Sequence, residues 1–365
     1  MEQIRIQNKF QAILSLNLKT ICANCSPLLV FMLMLQVVSA QNNFSRVDEL
    51  LTSKTKVLGG RLVTLVAMDG KVIYKKEIGE DFKSETVEPI GTSSKWLTVA
   101  LVMTFVDKGE LKLDDPVSKY LPIFTSYSKS YITIRQCLQE ITGIESEQKK
   151  IARMLQKKKF GSLEEEVNFY ASHKDIVSAP GKEFFYGDVG YNTVGRVLEV
   201  IAKKKTFGRL MQERIIKPLG MRRTSFIRDS GSEDPADGAV STAADYIKFL
   251  TMILNYGDFN GKKILSKEAI LEMEKTQNSE VPVKYSPKLM QGFNYGDGVW
   301  VQEKDKSGKG AVISCPSLYG TWPYIDRCRN YAAVIFSRQQ DNEQSATIYL
   351  EVKNEIEGQI KGGCN

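Results

Sequence analysis

Two apolar-rich runs, "RLVTLVAM" and "KVIYKKEIG", meet at Asp69-Gly70. That dipeptide favours the tight turn of a β-hairpin, so the segment predicts two paired strands. A helix is then expected to open near Thr92. Trp96, Leu97, Val99, Ala100, Leu101, Val102, Met103, Phe105 and Val106 surround it on nearly every side. A helix that is apolar all round belongs in a core, and Gly109 is its natural stop.

From about residue 111 to residue 255 the pattern is helical, broken by loops. "TIRQCLQEITG" reads as a short amphipathic helix, and "APGKEFFYGDVGYNTVGRVLEVIAKK" as a loop feeding another. "STAADYIKFLTMILNYG" opens on a Ser241/Thr242 cap and ends at Gly257. "DFNGKKILSKEAILEMEK" predicts a turn and a further helix. "GFNYGDGVWVQE", "SLYGTWPYID" and "NYAAVIFSR" are strand-like, and "SATIYLEVKNEIEGQ" closes the chain as a helix.

Strands therefore lie toward both ends of the sequence, with helices between them. The fold class is α/β: an antiparallel sheet built from both chain ends and flanked by helices, with a mostly helical region, about 111–255, inserted beside it. A cleft between the two parts is the expected site.

The first 40 residues have a different character. Arg5, Lys9 and Lys19 face one acid, Glu2, and the run "PLLVFMLMLQVVSA" ends in Val38-Ser39-Ala40. The run is short for a membrane span, and its end has the small residues that a signal peptidase reads. Residues 1–40 are expected to be a secretory signal cut before Gln41, leaving residues 41–365 as the mature domain. The expected location is periplasmic or secreted, with no stable membrane span after cleavage.

The whole chain carries 50 basic and 43 acidic residues, a net +7. The basic runs "KKIARMLQKKKF" and "AKKKTFGRL" read as solvated helix faces. They lack the interleaved aromatics of a nucleic-acid module, so no nucleic-acid partner is expected. His173 is the one histidine. Cys137, Cys315, Cys328 and Cys364 show no CxxC spacing, so neither a metal site nor a cofactor is expected. Export permits disulfides, but the spacing does not pair these four cysteines. The oligomeric state is not legible.

Candidate chemistry centres on "GTSSK", Gly91 to Lys95. On a helix Thr92 and Lys95 are i and i+3 and share a face. A hydroxyl beside an amine is the minimal activated-nucleophile pair, provided the amine can give up its proton. The helix N-terminus also offers backbone N–H groups to an oxyanion. A capping role for Thr92 is the plain alternative, but Lys95 in the first turn opposes the helix dipole. Ser93 and Ser94 lie on other faces. A Ser-His-Asp triad would depend wholly on His173, which has no recognisable partner motif.

These residues carry a resemblance. "T92-S-S-K95" is similar to the S-x-x-K of the β-lactamase and penicillin-binding-protein superfamily, in its class-C-like, esterase-like branch. Thr stands in place of the nucleophilic Ser. "GELKLDDPVSKYLP", "PGKEFFYGDVGYNTVGRVLEVIAKKKTFGRLMQERIIKPLGMRRTSF" and "GAVSTAADYIKFLTMILNYGDFNGKKILS" resemble further blocks of that family in the same order. The resemblance implies a β-lactamase/transpeptidase-like fold from roughly Val47 to the C-terminus. It implies Thr92 as nucleophile, Lys95 as its base and Tyr186 as proton relay. Asp188, Ser317, Leu318, Tyr319 and Trp322 are then expected around the substrate. An oxyanion hole is implied from the Thr92 N–H and one near Ser317-Leu318. Trp322 and Tyr324 either line the cleft or pack on the sheet.

The chain departs from the family pattern in several places. Asp188 stands where Asn is typical, and it is expected to pair with Lys95 and hold it charged. The K-T-G or H-x-G strand motif is replaced near Cys315-Pro316-Ser317. "QEITGIES" lacks the usual His-Thr-Ser-Gly. Two functions follow. One is a hydrolase acting on an ester or amide, with a small-molecule or peptide substrate, through an acyl-enzyme on Thr92. The other is a non-catalytic relative that binds a peptide, a cell-wall fragment or a protein in the same cleft.

Overall fold

A computed structural model describes residues 43–364 apart from 147–159, 204, 228–230, 277–280, 318 and 338–342. The expected signal, residues 1–40, lies outside the described residues. So do Leu318 and part of the basic run "KKIARMLQKKKF".

The hairpin forms as its turn chemistry requires. Strand β1 (Leu62–Met68) pairs antiparallel with β2 (Lys71–Ile78), Met68 opposite Lys71. Asp69 and Gly70 both take positive φ, 50° and 73°, as a two-residue turn matched to strand twist needs. Five further strands come from the C-terminal part: β3 (Asn294–Tyr295), β4 (Trp300–Lys304), β5 (Gly310–Ser314), β6 (Thr321–Asp326) and β7 (Tyr331–Ser337). Among the described residues they join in one seven-stranded sheet of order β2-β1-β7-β6-β5-β4-β3. The pairing of β1 with β7 is antiparallel, Val63 opposite Phe336 and Met68 opposite Tyr331. The two ends of the sequence therefore share one sheet, and the helical region lies between them in the chain.

Strand alternation sorts the side chains between two cores. On β7, Tyr331, Ala333 and Ile335 join one cluster, with Val47 and Leu51 of helix α1 (Ser45–Lys54) and Val352 and Ile356 of the C-terminal helix. Ala332, Val334 and Phe336 join the larger cluster on the opposite face. There they meet helix α2 (Ser94–Asp107) and the rest of the helical region. Every residue of α2 from Ser94 to Phe105 is buried. Each large apolar side chain on it contributes roughly 1.5–3 kcal/mol by leaving water. Gly109, at φ 68°, turns the chain out of the helix.

Four more helices complete the frame used below: α3 (Ile134–Leu138), α4 (Leu163–His173), α5 (Val189–Ala202) and α6 (Ala243–Leu254). A capping box between Thr133 and Gln136 starts α3, satisfying two otherwise orphaned N–H groups. Thr242 caps α6 by accepting from the Asp245 N–H. The C-terminal helix, α7, runs Glu343–Gln359, and just beyond it Cys364 is disulfide-bonded to Cys328, 36 residues apart. Closing a loop of that length is worth roughly 4 kcal/mol in the chain-entropy account. Cys137 and Cys315 are free and buried.

Candidate active site

The chain enters α2 through a short 3-10 turn, Gly91–Ser93. Gly91 has φ 51°, and a Cβ there would meet Tyr319 Cδ2 at 2.2 Å and Ser317 Oγ at 2.3 Å. The segment after β5 therefore presses directly on the start of the helix, and only glycine fits beneath it. Three hydrogen bonds fasten the two segments. The Thr92 hydroxyl donates to the Pro316 carbonyl at 3.0 Å, the Ser93 hydroxyl donates to the Cys315 carbonyl at 2.7 Å, and the Cys315 thiol donates to the Thr92 carbonyl at 3.3 Å. The Ser94 hydroxyl accepts from the Ala239 N–H. All three hydroxyls thus have backbone partners; Ser93 and Ser94 are fully buried, and the Thr92 hydroxyl is the one beside Tyr186.

Lys95 is fully buried. Its ammonium donates to Glu140 Oε1 at 2.5 Å and to the Gly187 carbonyl at 2.6 Å. It also sits 3.6 Å above the centroid of the Tyr186 ring and 4.8 Å from that of Tyr191. A carboxylate, a carbonyl and a ring face thus hold the Lys95 side chain in place. The Thr92 hydroxyl lies beside the Tyr186 phenol, although that phenol makes no well-formed hydrogen bond among the described residues. Burial pushes Tyr186 well above its ordinary value. At neutral pH it is a phenol, which can give a proton to a leaving group.

The carboxylate on Lys95 is a correction to the expectation from sequence. Asp188 was expected to pair with the amine, but the partner is Glu140. Asp188 is buried at the start of α5 and acts on Glu140 through space, raising its carboxyl. Glu140 follows α3 directly and takes φ 59°, an uncommon conformation for a residue with a Cβ. That twist ends the helix and turns the Glu140 side chain toward Lys95. The Gly187 N–H donates to Glu140 Oε2 at 3.3 Å. Burial pushes the Glu140 carboxyl up to about 7, against the opposing pull of Lys95. In the sequence this residue stands in the segment "QEITGIES", where the family resemblance led to an absent His-Thr-Ser-Gly. The absent motif was legible; the carboxylate that fills the space was not.

The structure brings Thr92, Lys95 and Tyr186 together, with Ser317 and Tyr319 against Gly91 and Asp188 near Glu140. Leu318 lies outside the described residues. Trp322 does not join them, which corrects its expected place around the substrate. On β6 it points to the face covered by the terminal helices, with its ring centroid 4.9 Å from that of Tyr349. Strand alternation sends Trp322 and Tyr324 together to that face. Among the described residues no group of His, Cys, Asp or Glu could hold a metal ion, and no helix is long and apolar enough to cross a membrane.

The family model described as Beta-lactamase matches residues 48–355. The chain is 23% identical over 326 residues to Beta-lactamase-like protein 4 of Dictyostelium discoideum, a match covering 74% of this chain and 56% of that protein. It is 22% identical to the D-alanyl-D-alanine-carboxypeptidase/endopeptidase AmpH of Escherichia coli K12, covering 70% of this chain and 72% of AmpH. Among solved structures, a beta-lactamase candidate from Bacteroides dorei superposes with a TM-score of 0.76 at 26% identity, over 86% of this chain and 98% of that one. EstCE1, described as a hydrolase with promiscuous acyltransferase activity, superposes with a TM-score of 0.69 at 20% identity, over 86% and 97%. This last likeness is one of fold alone.

Proposed function

The chain belongs to the beta-lactamase family, a family of hydrolase fold, and we propose that it cleaves an ester or amide bond through an acyl-enzyme on Thr92. The observation that carries this reading is that Tyr186 links the other two at the start of α2, with the Thr92 hydroxyl beside its phenol and the Lys95 amine over its ring. The hydroxyl attacks the substrate carbonyl. The negative charge that develops on the carbonyl oxygen is met by the Thr92 N–H at the helix N-terminus, where backbone donors are free of helical partners. Tyr186, held as a phenol, protonates the leaving group. Water then releases the acyl group. The substrate is a small molecule or a peptide, and a panel of esters, D-amino-acid peptides and β-lactams tests the class. Turnover of one class by wild type and not by Thr92→Ala supports the reading; equal turnover by both contradicts it.

One observation favours a second reading, binding without turnover. Lys95 is clamped by Glu140, the Gly187 carbonyl and the Tyr186 ring, and an ammonium that donates to these partners has no lone pair with which to accept the Thr92 proton. In that reading the same cleft holds a ligand that is never cut. Saturable binding of a panel member by a protein that forms no covalent adduct at any pH would select it.

Export is part of the proposal. The apolar run ending at Ala40 and the Cys328–Cys364 disulfide both fit an oxidising compartment. Protein recovered outside the cytoplasm is expected to begin at Gln41 on N-terminal sequencing. Recovery with residues 1–40 intact would overturn this.

A further inference from the structure

We propose that Glu140 is a positioning residue that serves as terminal proton acceptor through Lys95: as Thr92 attacks, Lys95 passes one ammonium proton to Glu140 and takes the hydroxyl proton in its place. This inference rests on the Thr92 acyl-enzyme reading. It resolves the difficulty that the clamp on Lys95 raises, because Lys95 then never has to begin as a free amine.

The step balances. The Thr92 O–H bond breaks as its oxygen bonds to the substrate carbonyl carbon, and the carbonyl π pair moves to the oxyanion. An N–H bond forms on Lys95 while another breaks, and an O–H bond forms on Glu140. Lys95 is an ammonium before and after. The negative charge of Glu140 is in effect moved to the oxyanion. When the tetrahedral intermediate collapses, Tyr186 gives its proton to the leaving group, the proton on Glu140 passes through Lys95 to restore the Tyr186 phenol, and the pair ends as it began.

Three features of the geometry point this way. Lys95 Nζ donates directly to Glu140 Oε1 at 2.5 Å, so the two groups that exchange the proton share a charge-assisted hydrogen bond. The Gly187 backbone braces both members, its carbonyl accepting from Lys95 and its N–H donating to Glu140 Oε2. The positive φ of Glu140 is a local cost of holding a carboxylate in this position. A clamp that only anchored Lys95 would be served by a carboxyl of ordinary acidity. Here burial lifts the carboxyl to about 7, the range in which a general base works at neutral pH.

The groups that face Glu140 are Lys95, Asp188, Tyr186, Tyr191, Tyr295 and Cys137. Burial pushes the three phenols and the Cys137 thiol well above their usual values, so they stay neutral around pH 7. Lys95 pulls the Glu140 carboxyl down and Asp188 pushes it up. Cys315 faces Lys95 and is likewise held as a thiol, pushed up to about 12 by burial.

The test is the rate of covalent labelling of the full mature chain by an activated ester, followed by mass spectrometry from pH 5 to pH 9. Ionised Glu140 is the accepting form. The wild-type rate is therefore expected to rise about tenfold per pH unit below about 7 and to level off above it. Glu140→Gln is expected to label on the order of 10²–10³ times more slowly, with no inflection near 7. Because that variant leaves Lys95 without its counter-charge and risks misfolding, a second measurement uses unmutated protein: a carboxyl-carbon NMR titration of Glu140, expected to show its midpoint near 7. A midpoint at or below 4.5, or a wild-type inflection that persists in folded Glu140→Gln, overturns the relay and leaves the acyl-enzyme reading standing. Wild type that is never labelled at any pH overturns the acyl-enzyme reading first, and the relay with it.

Discussion

Thr92→Ser is expected to raise the rate of covalent labelling roughly tenfold, and Thr92→Ala is expected to remove labelling altogether. The serine change deletes one methyl group and keeps the hydroxyl. A β-branched residue at a helix start has restricted χ1, and here the Thr92 hydroxyl is already committed to the Pro316 carbonyl at 3.0 Å. Attack requires it to leave that carbonyl and point toward the substrate. Serine rotates more freely and presents less bulk along the path, and a gain of about 1.4 kcal/mol in the barrier is a tenfold gain in rate. Alanine has no nucleophile to offer. Ser93 and Ser94 cannot substitute, because both are fully buried and it is the Thr92 hydroxyl that lies beside the Tyr186 phenol. The measurement is the time course of adduct formation with an activated ester, followed by intact mass on all three proteins. A Thr92→Ala protein that labels at the wild-type rate would remove position 92 from the mechanism.

Lys95→Ala carries the second large effect, and it acts on both activity and stability. Labelling is expected to fall by on the order of 10²–10⁴, the usual worth of a positioned proton-transfer group. Lys95→Arg is expected to fall comparably, since arginine does not release its proton and its planar fork does not fit a site built around a compact ammonium. Stability is expected to fall by about 3–5 kcal/mol at pH 8, because the alanine leaves a buried carboxylate without its partner. The pH dependence has a definite sign. The Glu140 carboxyl is raised on folding, so the folded state holds its proton more tightly than the unfolded chain does. The stability linked to that proton is fully present below the unfolded value, near 4.5, and is lost as pH rises through about 7. Removing Lys95 takes away the charge that opposes this rise, so the loss should widen toward higher pH in Lys95→Ala. Urea unfolding at pH 5 and pH 8 measures it. A variant equally destabilised at both pH values would show that Glu140 is not the group left uncompensated.

The fold was legible where local chemistry decides it. Asp69-Gly70 marks the hairpin because both residues must take positive φ, and they do. The all-round apolar stretch from Trp96 to Val106 marks a buried helix because no exposed face could tolerate it. Within the site, Thr92 and Lys95 were legible because three residues on a helix make neighbours, and Tyr186 because of its family-like block. Contacts set by tertiary packing were not legible in this way. Glu140 lies 45 residues from Lys95, and nothing in "QEITGIES" announces that its backbone turns through positive φ to aim a carboxylate inward. Asp188 was the nearer guess because it stands inside a recognised motif. Trp322 shows a different limit. Both faces of the sheet are buried, so alternation along β6 gives two sets of side chains without saying which set meets the site. Strand β5, "GAVIS", is short and follows a glycine turn, and five residues are too few for alternation to mark it. The pairing of Cys328 with Cys364 depends on where α7 returns the chain, which spacing alone does not specify.

The central claim is that Thr92 becomes acylated. Wild-type mature protein should be incubated with an activated ester or β-lactam at pH 8, digested, and mapped by tandem mass spectrometry. The account predicts a single acyl adduct on the peptide spanning "GTSSK", with the fragment series placing the added mass on Thr92. An adduct on Ser93, on Ser94 or outside this peptide, or no adduct in either wild type or Thr92→Ser, would contradict it.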